Sequence, residues 1–205
     1  MVRIGREHFI TRFGPDIKAV EEVEPGATVV FETHDCWHGQ LKSECQEIER
    51  LDFTAMNPAT GPLGVKGARP GDVLSVKVLS IRTGETGAVS VMPGDGVLKQ
   101  MVERSATRIL TIKDGRVAFG DIVLSSVPMI GVMGVAASCD EEGDVSTATP
   151  GRHGGNMDTK DVREGVTVYF PVNQDGAMLA MGDVHAVMGD GEVCVTGCET
   201  EAEVE

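Results

Sequence analysis

The 205-residue sequence predicts a mainly β protein, a sandwich or barrel-like set of sheets carrying short helical insertions. Three observations lead there. Glycine is abundant at 26 residues while aromatics make up only 4% of the chain. The apolar runs are short and rich in Val and Ile, and several alternate with period two. Asp-Gly and Pro-Gly pairs separate those runs, and both supply the positive φ that tight turns require. The length suits a single domain spanning 1–205.

In chain order, the predicted strands are "ATVVFETH" (27–34), "DVLSVKVLSI" (72–81), "TRILTI" (107–112), "RVAFG" (116–120), "MIGVMGVAA" (129–137), "VTVYFPV" (166–172), "AMLAMGDVHA" (177–186) and "GEVCVTGCE" (191–199). "KDG" between the third and fourth strands and "NQDG" between the sixth and seventh predict β-hairpins. "VEPGATVVFET" and "ARPGDVLSVKV" share a Pro-Gly turn before an alternating strand, the pattern of a type II turn. Helical periodicity is weak: "GVLKQMVERS" (96–105) allows two or three turns and "MDTKDVREG" (157–165) one. The acidic end, "ETEAEVE", reads as the exposed end of the last strand or a frayed terminus.

A net charge of -14 and a pI near 4.7 exclude the basic footprint that nucleic acids and anionic membrane surfaces need. No apolar run approaches a membrane span, and "MVRIGREHFITRFG" lacks the apolar core of a signal peptide, so the expectation is a cytoplasmic chain. Five cysteines without a CxxC pair predict reduced thiols. Neither a GxxxxGK[ST] phosphate loop nor a GxSxG nucleophile elbow is present.

Chemistry concentrates around three histidine-containing clusters. In "GDVHAVMGDGE" (182–192), Asp183 and His185 are two apart and face the same way along an extended strand, which suits ligation of one cation. Glu192 repeats the spacing from Asp190 beyond a Gly-bounded turn, although turn chemistry is the stronger reading of Asp190 itself. In "TPGRHGGNMD", His153 is a ligand or general acid and Asn156 an oxyanion donor, while Asp158 is either a ligand or a helix cap. In "THDCWHGQLKSEC", Asp35 ends the best strand of the chain, and Cys36 raises a rival thiol nucleophile with His34 or His38 as its base. Adjacent strand residues point to opposite faces, which favours Asp35 over Cys36 for one pocket. Trp37 is a pocket wall or core, and Glu44 a further carboxylate or a solvated loop residue.

Taken in order, "VVFETHDCWHGQL", "NPATGPLGVKGARPGDVLSV", "PMIGVMGVA", "TPGRHGGNMD" and "EGVTVYFPVNQDGAMLAMGDVHAVMGDGEVCVTG" resemble the acetamidase/formamidase family of amide hydrolases, covering nearly everything from about residue 17 onward. The resemblance implies hydrolysis of formamide, acetamide and similar short amides to carboxylate and ammonia. It also implies a divalent metal, zinc, and a homo-oligomer. By position, Asp35, His153, Asp183, His185 and Glu192 match the family's polar motifs. The chemistry then assigns Asp35, Asp183 and His185 to the metal and Glu192, Asn156 and His153 to catalysis, with His34 and Trp37 toward substrate. Members of the family continue past the segment holding "EVCVTG", whereas this chain stops at Glu205, so a complementing chain is a further expected partner.

Overall fold

A computed structural model describes residues 1–139 and 143–205. The described residues form strands joined by turns, with only two three-residue 3-10 helices, Ile48–Arg50 and Phe53–Ala55. The mainly β expectation holds. No helix among the described residues is long and apolar enough to cross a membrane.

Two strands anchor the architecture, Met129–Gly134 and Leu179–His185, and every residue of both is buried. They pair antiparallel, with His185 opposite Met129 and Gly182 opposite Val132. Burial on both faces explains why these runs read as nearly continuous apolar sequence rather than alternation. The second edge of Leu179–His185 is shared. Its first half pairs with Ala59–Val65, whereas Val184 and His185 pair with Thr200 and Glu199. Where the partner changes stands Asp183, in the left-handed region at φ 55. A non-glycine residue there carries local strain, which surrounding pairing must hold in place.

Around this pair a large sheet extends through Glu199–Thr200, Thr86–Val91, Ala106–Lys113 and Arg116–Phe119 to an edge at Ile122–Ser125. A four-stranded sheet runs in the order Val2–Ile4, Val29–Thr33, Ala202–Val204, Ile81–Thr83. A ribbon of Val73–Lys77 and Thr167–Pro171 closes a third side. Their inner faces meet in one core where Phe31, Val204, Ile130, Met133, Met181, Val184 and Phe170 pack together. Sheet-on-sheet packing of this kind buries what no single amphipathic sheet can.

Several local expectations are met. Asp114 and Gly115, both at positive φ, turn Ala106–Lys113 into Arg116–Phe119 as a two-residue hairpin. Gly26 and Gly71, at φ 85 and 95, complete the two Pro-Gly turns, closed by bonds from Ala27 to Glu24 and from Asp72 to Arg69. All five cysteines are free.

Others are corrected. "NQDG" does not close a hairpin: Thr167–Pro171 pairs with Val73–Lys77, while Leu179–His185 enters the large sheet. Residues 191–199 are not one strand. Cys194 and Val195 lie in the left-handed region at φ 60 and 56, which breaks an extended run, and only Glu199 joins the ladder. Neither predicted helix forms. Val97, Leu98 and Met101 point to solvent with no core against them, and Asp158 at φ 39 is incompatible with a helical turn.

Candidate active site

The partner change along Leu179–His185 brings distant segments to one point. His185 lies directly opposite Glu199, and antiparallel partners project to the same face, so Glu199 Oε1 stands 3.1 Å from His185 Nε2. Asp183, two residues back, reaches the same nitrogen at 3.3 Å through Oδ1. Nδ1, on the other side of the ring, lies 3.2 Å from Met188 Sδ. The ring fits against Gly197, where a Cβ would come within 2.5 Å of Nδ1.

Asp158 approaches from the segment after Gly154–Asn156, its N–H directed to the Gly131 carbonyl at 3.3 Å. Gly131 is what lets it in. A Cβ there would lie 2.5 Å from Asp158 Oδ1 and 2.7 Å from Asp183 Oδ2, so the missing methyl is the space the two carboxylates occupy. Glu192 comes from the turn after Gly189, bent inward at φ 41. Asn57 donates its side-chain amide to Asp183 Oδ2 at 3.3 Å, while its backbone N–H holds the Cys36 carbonyl at 2.9 Å.

Two ligand sets result: Asp158, His185 and Glu192, and beside them Cys36, Asp183 and Glu199, the ligand atoms within each set lying inside 4.8 Å of one another. Burial dominates the electrostatics. It pushes Glu199 up to about 8 against the opposing pull of His185, and Asp158 up to about 7, helped by the charges of Asp183 and Glu192. Glu192 is raised by burial as well. For His185, burial opposes the charge more than any one neighbour favours it, yet Glu199 and Asp183 together hold its pKa well above the ordinary value. Burial, followed by the surrounding carboxylates, drives the Cys36 thiol well above its usual range.

A divalent cation fits this environment on two grounds. Glu199 Oε2 and Asp158 Oδ1 are buried oxygens without a hydrogen-bond partner, an arrangement that costs stability unless a cation or proton satisfies it. Imidazole with carboxylates, and a thiol at hand, is the donor set of zinc-like ions.

Of the residues expected from sequence, Asp183, His185, Glu192 and Asp158 converge here. Asp35 is turned to its own loop, where Oδ1 accepts the Gly39 N–H at 2.7 Å, and the ligand atom that meets Asp183 and Glu199 belongs to its neighbour Cys36. His153 is buried with its ring 5.0 Å from Phe13 and is in neither ligand set. Asn156 lies two residues before Asp158, its Oδ1 buried and unpartnered. His34 stacks edge-on against His38 at 4.5 Å beside Phe9, and Trp37 packs with Leu41 and Ile48. Asp190 turns outward to pair with Lys160 at 2.9 Å, and Glu44 is exposed beside Arg108 at 3.4 Å. Two participants escaped sequence reasoning. Glu199 needed the strand register, since nothing in "GCETEAEVE" distinguishes it from exposed acids, and Asn57 needed the path of the 36–57 loop.

The fold has known counterparts. Bacillus halodurans acetamidase is 41% identical, with a TM-score of 0.96 over 99% of this chain and 68% of that one. A protein described as a predicted acetamidase/formamidase from Thermoanaerobacter tengcongensis is 43% identical, with a TM-score of 0.95 over 99% of this chain and 67% of that one. The formamidase of Methylophilus methylotrophus is 25% identical over 242 residues, 91% of this chain but 60% of that protein, so the chain spans well under its full length. The sequence model of the Acetamidase/Formamidase family matches residues 3–142 and 140–205. A correspondence this continuous leaves one assignment: the chain belongs to the acetamidase/formamidase family.

Proposed function

We propose that the chain carries the hydrolytic site of an amidase acting on short linear amides such as formamide and acetamide, with zinc as its metal. The observation that carries this reading is the buried convergence of Asp158, Asp183, Glu192 and Glu199 on His185, with unpartnered oxygens on Asp158 and Glu199. Formamidase and acetamidase relatives with this fold support the substrate class.

Asp158, Asp183 and His185 would hold the cation. When bound, it supplies Lewis acidity toward the amide carbonyl and a lowered pKa for water. The protein's own groups do the rest. Glu192, raised by burial, stands beside this set as the proton carrier, taking the proton from the attacking water and returning it to the departing nitrogen. Asn156 offers its amide to the oxyanion. Asn57 keeps Asp183 in place through the hydrogen bond to Oδ2. A thiol nucleophile at Cys36 fits less well, because burial holds that sulfur protonated.

The same reading includes self-association. Ile122, Val123 and Leu124 are exposed on the edge strand of the large sheet, and an exposed apolar edge is the kind of surface that a second polypeptide covers. The test of the function is ammonia release from formamide, acetamide and a longer aliphatic amide, before and after chelation and zinc restoration. Turnover falling with amide length and lost on chelation is the expected result. Full turnover in the chelated protein would remove metal hydrolysis as the mechanism.

A further inference from the structure

We propose that an open cleft beside the Val73–Lys77 ribbon is the seat of a strand-forming polypeptide segment, the counterpart of the part of the solved acetamidases that this chain does not match.

The cleft has a volume of about 900 Å³. Its walls are apolar: Phe31 and Val204 come from the four-stranded sheet, and Leu63, Val65, Met133 and Met181 from the large one. That volume equals about thirty waters at roughly 30 Å³ each, whereas close-packed interiors leave few voids larger than one. Apolar walls offer such water no hydrogen-bond partners, so an apolar occupant belongs there.

The neighbouring backbone selects the kind of occupant. Val73–Lys77 pairs with Thr167–Pro171 along one edge, and among the described residues no strand pairs with its other edge. The Val78 N–H goes to the Val166 carbonyl at 3.0 Å, and alternation turns the amides of Val73, Ser75 and Lys77 away from that partner. Residues 73–79 all border the cleft whichever way their side chains point, so the open edge fronts it rather than one face. Glu21–Val23, which reaches the cleft at Val23, likewise pairs only with Ala59–Val65 among the described residues. Apolar walls flanked by unpaired strand edges are the setting for β-augmentation, in which an added strand takes main-chain hydrogen bonds and inserts alternate side chains. A small apolar molecule would fill the walls and leave those amides unpaired.

The relatives supply a segment of sufficient length. The match covers 99% of this chain but 68% of Bacillus halodurans acetamidase and 67% of the Thermoanaerobacter tengcongensis protein. The rest of either is ample for a strand and the side chains that fill the walls. A second copy of this chain has its own candidate surface at Ile122–Ser125, which does not border the cleft. Asp158, Asp183, His185 and Glu192 do not border it either, so the proposal stands apart from amide hydrolysis.

The test uses the 205-residue chain, Nile red as an apolar probe, and the unmatched part of Bacillus halodurans acetamidase as a separate polypeptide. The chain alone should take up the dye. The polypeptide should release it at one per chain and slow amide exchange at Ser75 and Lys77, read by NMR. Proline is tolerated where an edge N–H faces outward, so Ser75→Pro should keep dye uptake and weaken polypeptide binding by about tenfold or more. If that variant fails to fold, dye release and exchange in the wild-type chain decide; if the polypeptide is insoluble, the same part fused after Glu205 is read by the same two measurements. No dye uptake by the chain alone, dye retained beside the added part, or release without slowed exchange at Ser75 and Lys77 overturns the proposal. Dye uptake lost on concentrating the chain by itself, with Ser75 exchange slowed, places a second copy in the cleft and overturns it as well.

Discussion

Replacing Gly131 with alanine adds a single methyl group where the structure has reserved room for two carboxylates. The new Cβ would lie 2.5 Å from Asp158 Oδ1, 2.7 Å from Asp183 Oδ2 and 2.7 Å from the Asp183 carbonyl oxygen. Comfortable carbon contacts need about 3.5 Å, so the carboxylates must retreat by roughly 1 Å and the paired strand must give as well. Gly131 lies in a fully buried strand, where overpacking costs about 1–3 kcal/mol. For a chain of this size each kcal/mol lowers Tm by about 2–4 °C. A misplacement of about 1 Å at reacting groups costs on the order of 100-fold in rate. Zinc content, thermal melting and kcat/KM for formamide, measured on the same preparations, should all fall together. A Gly131→Ala protein with full zinc, unchanged Tm and kcat/KM within about twofold of wild type would refute the claim that the two carboxylates work at this separation.

The remaining expectations separate site from surroundings. Asp158→Asn should lose metal and about 100-fold or more in kcat, whereas Asp190→Asn, which disrupts only an exposed pair with Lys160, should stay within about twofold; equal losses in both would contradict the division between inward and outward acids. In the chelated protein, Asp158 and Glu199 have folded pKa values of about 7 and about 8, above their ordinary 3.8 and 4.5. The native state therefore binds more protons than the unfolded chain between those limits. The associated stability is present at low pH and lost as pH rises toward 8, a trend His185, also raised, reinforces. Tm of the chelated protein should fall from pH 5 to 8 and the stabilisation by zinc should grow; a chelated Tm that rises over that range would contradict the assignment. Alkylation of the native chelated protein should modify Cys45 and Cys139 quickly and leave Cys36, Cys194 and Cys198 for the denatured chain, as read by mass spectrometry. Rapid native labelling of Cys36 would reopen the thiol mechanism.

The sequence made the paired core legible wherever the signal was local. "MIGVMG" and "LAMGDVH" announced buried strands, and "KDG" announced its hairpin, because apolar runs and Asp-Gly turns act through near neighbours. "ATGPLGV" did not look like a strand, since its glycines and proline weaken strand propensity, and tertiary pairing with Leu179–His185 overrides that. The "EVCVTGC" run failed in the opposite sense: it alternates like a strand, but the left-handed backbone at Cys194 and Val195 interrupts it.

The site divides in the same way. Asp183 and His185 were readable because they share one strand and one face. Glu192 and Asp158 were readable as chemically suitable acids, although the backbone at both is left-handed and their inward direction depends on that. Glu199 was hidden, because it meets His185 only through the register of two strands fourteen residues apart. Cys36 and Asp35 were weighed by simple alternation, but the strand ends at Thr33 and a turn follows, so alternation no longer decides which side chain faces inward.

The central claim is tested most directly by titrating zinc into the chelated chain while following bound metal and formamide turnover in parallel. The account predicts no turnover at the start, a rise that tracks zinc bound, and neither binding nor turnover in Asp158→Asn under the same conditions. Turnover at full rate before any zinc is added, or zinc bound stoichiometrically with no turnover of any short amide, would contradict it.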